Sequence, residues 1–181
     1  MVPPEYVFGY ASLTQLAGRD RARPARLRNH RREWGVAMDN TRRLPRYKYY
    51  LDPVTRSPPA VYVVFLDLVP DDEHVVNGLL FETTADELSQ LDVRERNYAR
   101  IDVTACLAEQ VDGTVWSYVG SDDGRRRFAD GVAAGKAVVH RQYLEADEAG
   151  FDALGRGALA EFRRSTPAPP CPARRLLRID T

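Results

Sequence analysis

Two short stretches of this chain hold the residue types that could do chemistry. Glu95 lies in Leu91-Asp92-Val93-Arg94-Glu95-Arg96-Asn97-Tyr98, just past a predicted helix and three residues before a tyrosine. A carboxylate so placed can take up and return a proton. Far upstream, Val7-Phe8-Gly9-Tyr10-Ala11-Ser12-Leu13 reads as a short apolar strand that stops at small residues. A sharp turn of that kind can point successive N–H groups into a cavity and form a nest for an anion. Each stretch also has a plainer reading. Gly, Ala and Ser are common in any tight strand-to-helix turn, and Glu95 could be a solvated acid pairing loosely with Arg94 or Arg100.

Other chemistries find little support. Cys106 and Cys171 are too few and too far apart for a disulfide framework or a C-x-x-C metal site. His30, His74 and His140 lack any ligand-like spacing. With no nucleotide or redox motif either, the expectation is an activity without metal or cofactor.

The elements that must position the two stretches are legible in outline. Glu5 to Tyr10 reads as the first strand, and a basic, Pro-containing run from Arg19 to Arg32 reads as solvated surface. Trp34, Val36 and Met38 alternate as in a strand, and Tyr47 to Leu51 looks like another. Turn chemistry fills Asp52 to Pro59. Val61 to Val69 is β-branched and aromatic, hence a buried strand; an acidic turn at Asp71-Asp72-Glu73 should separate it from the strand Val75 to Phe81. Gly78 inside that strand predicts a bulge or a close backbone approach. Thr84 with Glu87 forms a capping box, predicting a helix from about Ala85 to Asp92 that ends just before Glu95. Strands follow over Tyr98 to Cys106 and Val115 to Val119, joined at Asp112-Gly113. Helical patterns then dominate from Asp122 to about Arg164, before a Pro-rich break from Thr166 to Pro172. This order is an α+β domain over residues 1–165, with 166–181 as a Pro-rich C-terminal arm.

Whole-chain composition bounds the partners. The 181 residues suffice for one substantial core. Basic and acidic side chains balance at 26 each, so no global field favours nucleic acid or an anionic membrane. Only Lys48 and Lys136 among the basic residues are lysines. The N-terminus reads as no signal peptide and no run approaches the ~20 apolar residues of a membrane span, so the expected location is cytoplasmic and the expected partner a small molecule. Oligomeric state is not readable.

Taken together, the two stretches resemble the γ-glutamylcyclotransferase superfamily, which includes AIG2-like and ChaC-like proteins; the resemblance covers Tyr6 to about Val119. It implies a small mixed β-barrel flanked by helices, here with a helical C-terminal third. It also implies that a γ-glutamyl group cyclises to 5-oxoproline, expelling an amine or amino acid. The family's loop reads Tyr-Gly-Ser and then Leu or Asn, matching Tyr10, Ala11, Ser12 and Leu13, which would wrap the α-carboxylate and amine end of the substrate. The family's Leu-Asp-x-x-Glu matches Leu91 to Glu95 and makes Glu95 the acid/base. Tyr98 would orient the acid or line the pocket, and Tyr118 matches a late-strand tyrosine facing the site; either could equally be a core or sheet tyrosine. Asn40 reads first as a turn asparagine. Two positions depart from the pattern. Ala11 and Arg96 stand where glycine is common, and Asn97 could supply a left-handed turn in place of the second. Those departures keep open a non-catalytic module that binds a γ-glutamyl-like ligand on the same fold. A third reading is an interaction domain without a cavity.

Overall fold

The computed structural model describes residues 3–180; Met1, Val2 and Thr181 lie outside the described residues. Strand β1 (Glu5–Gly9) is buried over its last three residues and breaks off into a 3₁₀ turn, Ser12–Leu16. There follow β2 (Arg23–Asp39), β3 (Tyr49–Leu51), β4 (Tyr62–Thr83), α1 (Ala85–Arg94) and β5 (Tyr98–Asp102). A second 3₁₀ turn, Thr104–Cys106, leads to β6 (Thr114–Gly120) and α2 (Asp122–Ala133). The chain closes with β7 (Ala137–His140), α3 (Arg141–Ala153), α4 (Ala158–Ser165), β8 (Ala173–Arg174) and β9 (Leu177–Ile179). The α+β class is as expected.

Seven strands form one mixed sheet in the order β5-β6-β1-β4-β7-β8, with β2 also paired to β4. The β1–β6, β4–β7 and β7–β8 pairs are parallel, and the other pairs in this sheet are antiparallel. The expected barrel is not closed: no pairing joins β5 to β8 among the described residues. Curvature comes instead from the long β2–β4 pair, whose register shifts between Arg28 and His30 and between Trp34 and Val36. Such irregularities bend a strand and increase its twist.

The acidic Asp71-Asp72-Glu73 does not end a strand, as the sequence suggests. It lies inside β4, where Pro70 pairs with His30 and Val75 with Arg28, so that the intervening residues bulge outward. Asp71 lies 3.1 Å from Arg31 and 2.8 Å from His74. These charges settle at the surface while the apolar stretches on either side stay in one ladder. The helical third likewise contains an unpredicted strand. β7 is four residues, all buried, with Ala137, Val138 and Val139 parallel to Tyr62, Val63 and Val64. Such a short apolar run carries no periodicity of its own.

Gly78 takes the close-approach reading: a Cβ there would lie 2.4 Å from the Gly9 carbonyl oxygen. That contact seats the end of β1 against β4. The Pro-rich C-terminal segment returns to the sheet, with β8 beside β7 and β9 antiparallel to β3. Between them Leu176 is buried with Tyr50, Val63, Phe65 and Val138. No helix among the described residues is long and apolar enough to cross a membrane.

Candidate active site

The capping box predicted for α1 is present: the Glu87 N–H donates to Thr84 Oγ1 at 3.3 Å, and the Thr84 N–H donates to Glu87 Oε2 at 3.0 Å. With its start so held, α1 runs to Arg94 and delivers Glu95 as its last half-helical residue. The Glu95 N–H donates to Leu91 O at 2.8 Å, and its carbonyl accepts from the Tyr98 N–H at 2.8 Å. The Glu95 side chain is 12% exposed, with Arg94 Nε 3.3 Å from its carboxylate. The ion pair expected of a plain surface glutamate is therefore made, but by a side chain that is mostly buried.

That burial is in the wall of a cavity of about 180 Å³, lined by Glu95, Tyr10, Ala11, Ser12, Leu13, Tyr98 and Tyr118 among others. All seven residues singled out in the sequence border the same space. At Ala11 the backbone has φ −147° and ψ −121°, so the position does not ask for a left-handed glycine. Arg96 and Asn97 are likewise absent from the residues with positive φ. Asn97 thus does not supply the left-handed turn considered for it. It is buried instead, donating to the Tyr47 hydroxyl at 2.7 Å and accepting from Arg127 at 2.8 Å.

The loop is braced from behind. Thr14 Oγ1 donates to Ala11 O at 2.7 Å. Arg32, which the sequence reads as part of a solvated run, is 1% exposed and donates through Nε to Tyr10 O at 2.7 Å. Its guanidinium lies beside the stacked pair Phe151 and Phe162, 4.9 and 5.0 Å from the ring centres, and burial lowers its pKa to about 9. Extending the Trp34–Met38 alternation backwards by one period would have placed Arg32 inward. The N–H groups of Ser12 and Leu13 begin a 3₁₀ turn and so have no acceptor within it.

Three phenols complete the wall near the acid. Tyr10 donates to Tyr118 O at 2.8 Å, Tyr98 to Leu66 O at 2.8 Å, and Tyr118 to Asp92 Oδ1 at 2.9 Å. Burial first, with Glu95 among the lesser causes, raises the pKa of all three. Each therefore stays neutral, with its proton committed to the protein. Toward a ligand each oxygen can act only as an acceptor, which suits an ammonium.

Sequence reasoning missed the rest of the lining, notably Lys48, Tyr50, Arg94, His140, Tyr143 and Arg178. Only the scarcity of lysine marks Lys48, and nothing local marks Arg178. Asn40 is not a lining residue. Its side chain donates to Tyr50 O at 2.9 Å and Pro59 O at 3.0 Å, and accepts from the Tyr50 N–H at 2.8 Å, stapling the segment that carries Lys48 and Tyr50. Among the described residues no three His, Cys, Asp or Glu side chains group so as to hold a metal ion.

Comparison with known proteins gives a consistent picture. A family model described as "Gamma-glutamyl cyclotransferase, AIG2-like" matches residues 21–135. No curated protein sequence matches the chain significantly. A solved structure titled gamma-glutamyl cyclotransferase is similar with TM-score 0.53 at 14% identity, covering 91% of this chain and 89% of that one. Another, of an uncharacterised protein from Homo sapiens, has TM-score 0.53 at 15% identity over 90% of this chain and 88% of that chain. A yeast cyclotransferase described as specific to glutathione has TM-score 0.51 at 15% identity, over 90% of this chain and 97% of its own.

Proposed function

We propose a reaction from one premise: the chain belongs to the gamma-glutamyl cyclotransferase, AIG2-like family. The reaction is cyclisation of a γ-glutamyl group to 5-oxoproline. The substrate's α-amine attacks its own γ-carbonyl carbon, a five-membered ring forms, and the former amide nitrogen departs as an amine or amino acid. Because the nucleophile is already attached, the protein's main task is to fold the substrate into the attacking geometry. Orientation of this kind is equivalent to effective molarities on the order of 10⁵–10⁸ M.

In this reading the Ser12 and Leu13 N–H groups hold the α-carboxylate, and Tyr10, Tyr98 and Tyr118 border the ammonium. Glu95 takes the proton that the ammonium must lose before attack. It then returns that proton to the departing nitrogen and passes on the second proton that the attacking nitrogen sheds as the lactam forms, so the departing group leaves as its ammonium, the carboxylate is regenerated and no net proton is consumed. Backbone donors near the γ-carbonyl stabilise the oxyanion. One observation supports the reading above the others: Glu95 and the Tyr10–Leu13 loop, distant in sequence, border one cavity. The alternative of a binding module without turnover draws on Ala11 and Arg96 in place of glycine. Neither residue has positive φ, so the structure gives that alternative no added weight.

The test is 5-oxoproline release from a panel of γ-glutamyl compounds by the wild type and by Glu95→Gln, which keeps shape but cannot shuttle protons. Release should fall by roughly 10²–10⁴-fold in the variant. Equal release by both would remove Glu95 from the chemistry. No release from any compound would turn the reading to the binding module.

A further inference from the structure

On the reaction proposed above, the geometry points to a substrate class: γ-glutamyl compounds whose leaving part carries a carboxylate, selected by Lys48. The charged residues lining the cavity are Glu95 and three cations, Lys48, Arg94 and Arg178. Two of these cations already have an acid. Arg94 Nε is 3.3 Å from Glu95, and Arg178 is 2.7 Å from Asp180. Among the described residues Lys48 has no carboxylate within 4.0 Å. Its ammonium instead lies 4.5 Å from the centre of the Phe65 ring. Glu95, Asp180 and Asp147 act on that charge only from beyond ion-pair distance; holding it among aromatic walls without an adjacent acid is unfavourable, and a ligand carboxylate would supply the close counter-charge.

Space for such a ligand lies next to the cavity. Lys48, Arg94 and Arg178 also line an adjoining groove of about 290 Å³, whose other charged residues are Arg46 and Asp180. With the glutamyl end in the cavity beside Glu95, the departing part can extend past Lys48 into that groove. The start of α3 adds to the positive field. Gln142 and Tyr143 of its first turn line the cavity, its N-terminus has no side-chain cap, and its first turn holds no acid. Lys48 and Arg178 come from separate parts of the chain and meet because Tyr50 and Arg178 are paired residues of β3 and β9. Neither belongs to the Tyr10–Leu13 loop that takes the glutamyl end.

The test uses two compounds that differ only by the carboxylate, γ-glutamyl-alanine and γ-glutamyl-ethylamine. Their dissociation constants are measured calorimetrically on Glu95→Gln, with and without Lys48→Met, while 5-oxoproline release is followed on the wild type and on Lys48→Met alone. The alanine compound should bind about tenfold to a hundredfold more tightly, and Lys48→Met should bring that ratio toward one. Two results would overturn the inference: equal affinity for the pair, or an equal loss for both compounds in Lys48→Met, which would put Lys48 on the shared glutamyl end. Binding of neither compound would overturn it as well. A binding preference that depends on Lys48, without release from either compound, would uphold the selection and reject the cyclisation.

Discussion

The ammonium of Lys48 is held among aromatic rings, and desolvation lowers its pKa to about 8; Glu95 and Asp180 oppose the shift, and Arg178 and Arg94 add to it. Unfolded lysine titrates near 10.4. Between about 8 and that value the unfolded chain binds more protons, so this residue's contribution to stability improves as pH rises through that range. At neutral pH the charge therefore works against the fold. For substrate the sign is opposite, because only the protonated form attracts a carboxylate. The preference for γ-glutamyl-alanine over γ-glutamyl-ethylamine, taken as a ratio of kcat/KM values, should fall as pH rises from 7 to 9. Titration of the substrates' own shared ammonium cancels in that ratio. A ratio constant across this range would exclude Lys48 from recognition. Glu95 and the small-residue loop were readable in the sequence because each sits in a local pattern. Lys48 and Arg178 were not, since neither has a neighbour in sequence that reports the cavity.

Short elements set the site by being held at both ends. The capping box starts α1, and a backbone bond at each side of Glu95 ends it, so the acid's position follows from local chemistry that the sequence displays. The other wall depends on Asn40. Its amide satisfies three main-chain groups, two on Tyr50 within β3 and one on Pro59 beyond it, and it is 1% exposed. Asn40→Ala should therefore cost about 3 kcal/mol, from buried groups left unpaired, measured as a lower urea midpoint at unchanged slope. It should also weaken the preference for the carboxylate compound, since the staple carries Lys48 and Tyr50. A loss below about 1 kcal/mol would mean that water replaces the amide's bonds. The bulge at Asp71–Glu73 teaches the converse lesson: acids in mid-sequence suggested a turn, but a strand with strong ladders on both sides simply carried them outward.

For the whole molecule, the C-terminal segment completes both the core and the site. Leu176 is 3% exposed, β9 is the partner of β3, and β8 borders β7. A chain ending at Pro172 would expose the cluster around Tyr50, Phe65 and Val138 and would lose Arg178. Its Tm should drop by at least about 10 °C, given that roughly 2–4 °C accompanies each kcal/mol in a domain of this size. A Tm within a few degrees of the full chain would show that the segment adds nothing to the core. The helices of the C-terminal third serve the same end, with the stacked Phe151 and Phe162 packing beside the guanidinium that braces the Tyr10–Leu13 loop.

The sequence by itself determined the α+β class, the helix that ends just before Glu95 and the small-residue loop after the first strand, and it narrowed Gly78 to a bulge or a close approach. These follow from capping, alternation and steric size, which act between near neighbours. Only the tertiary structure decided that the sheet stays open, that β7 is a strand, that Arg32 is buried and that Lys48 and Arg178 join Glu95 at one cavity. Those outcomes depend on pairings between distant segments, such as β3 with β9 and β4 with β7, whose energies come from burial that no local pattern records.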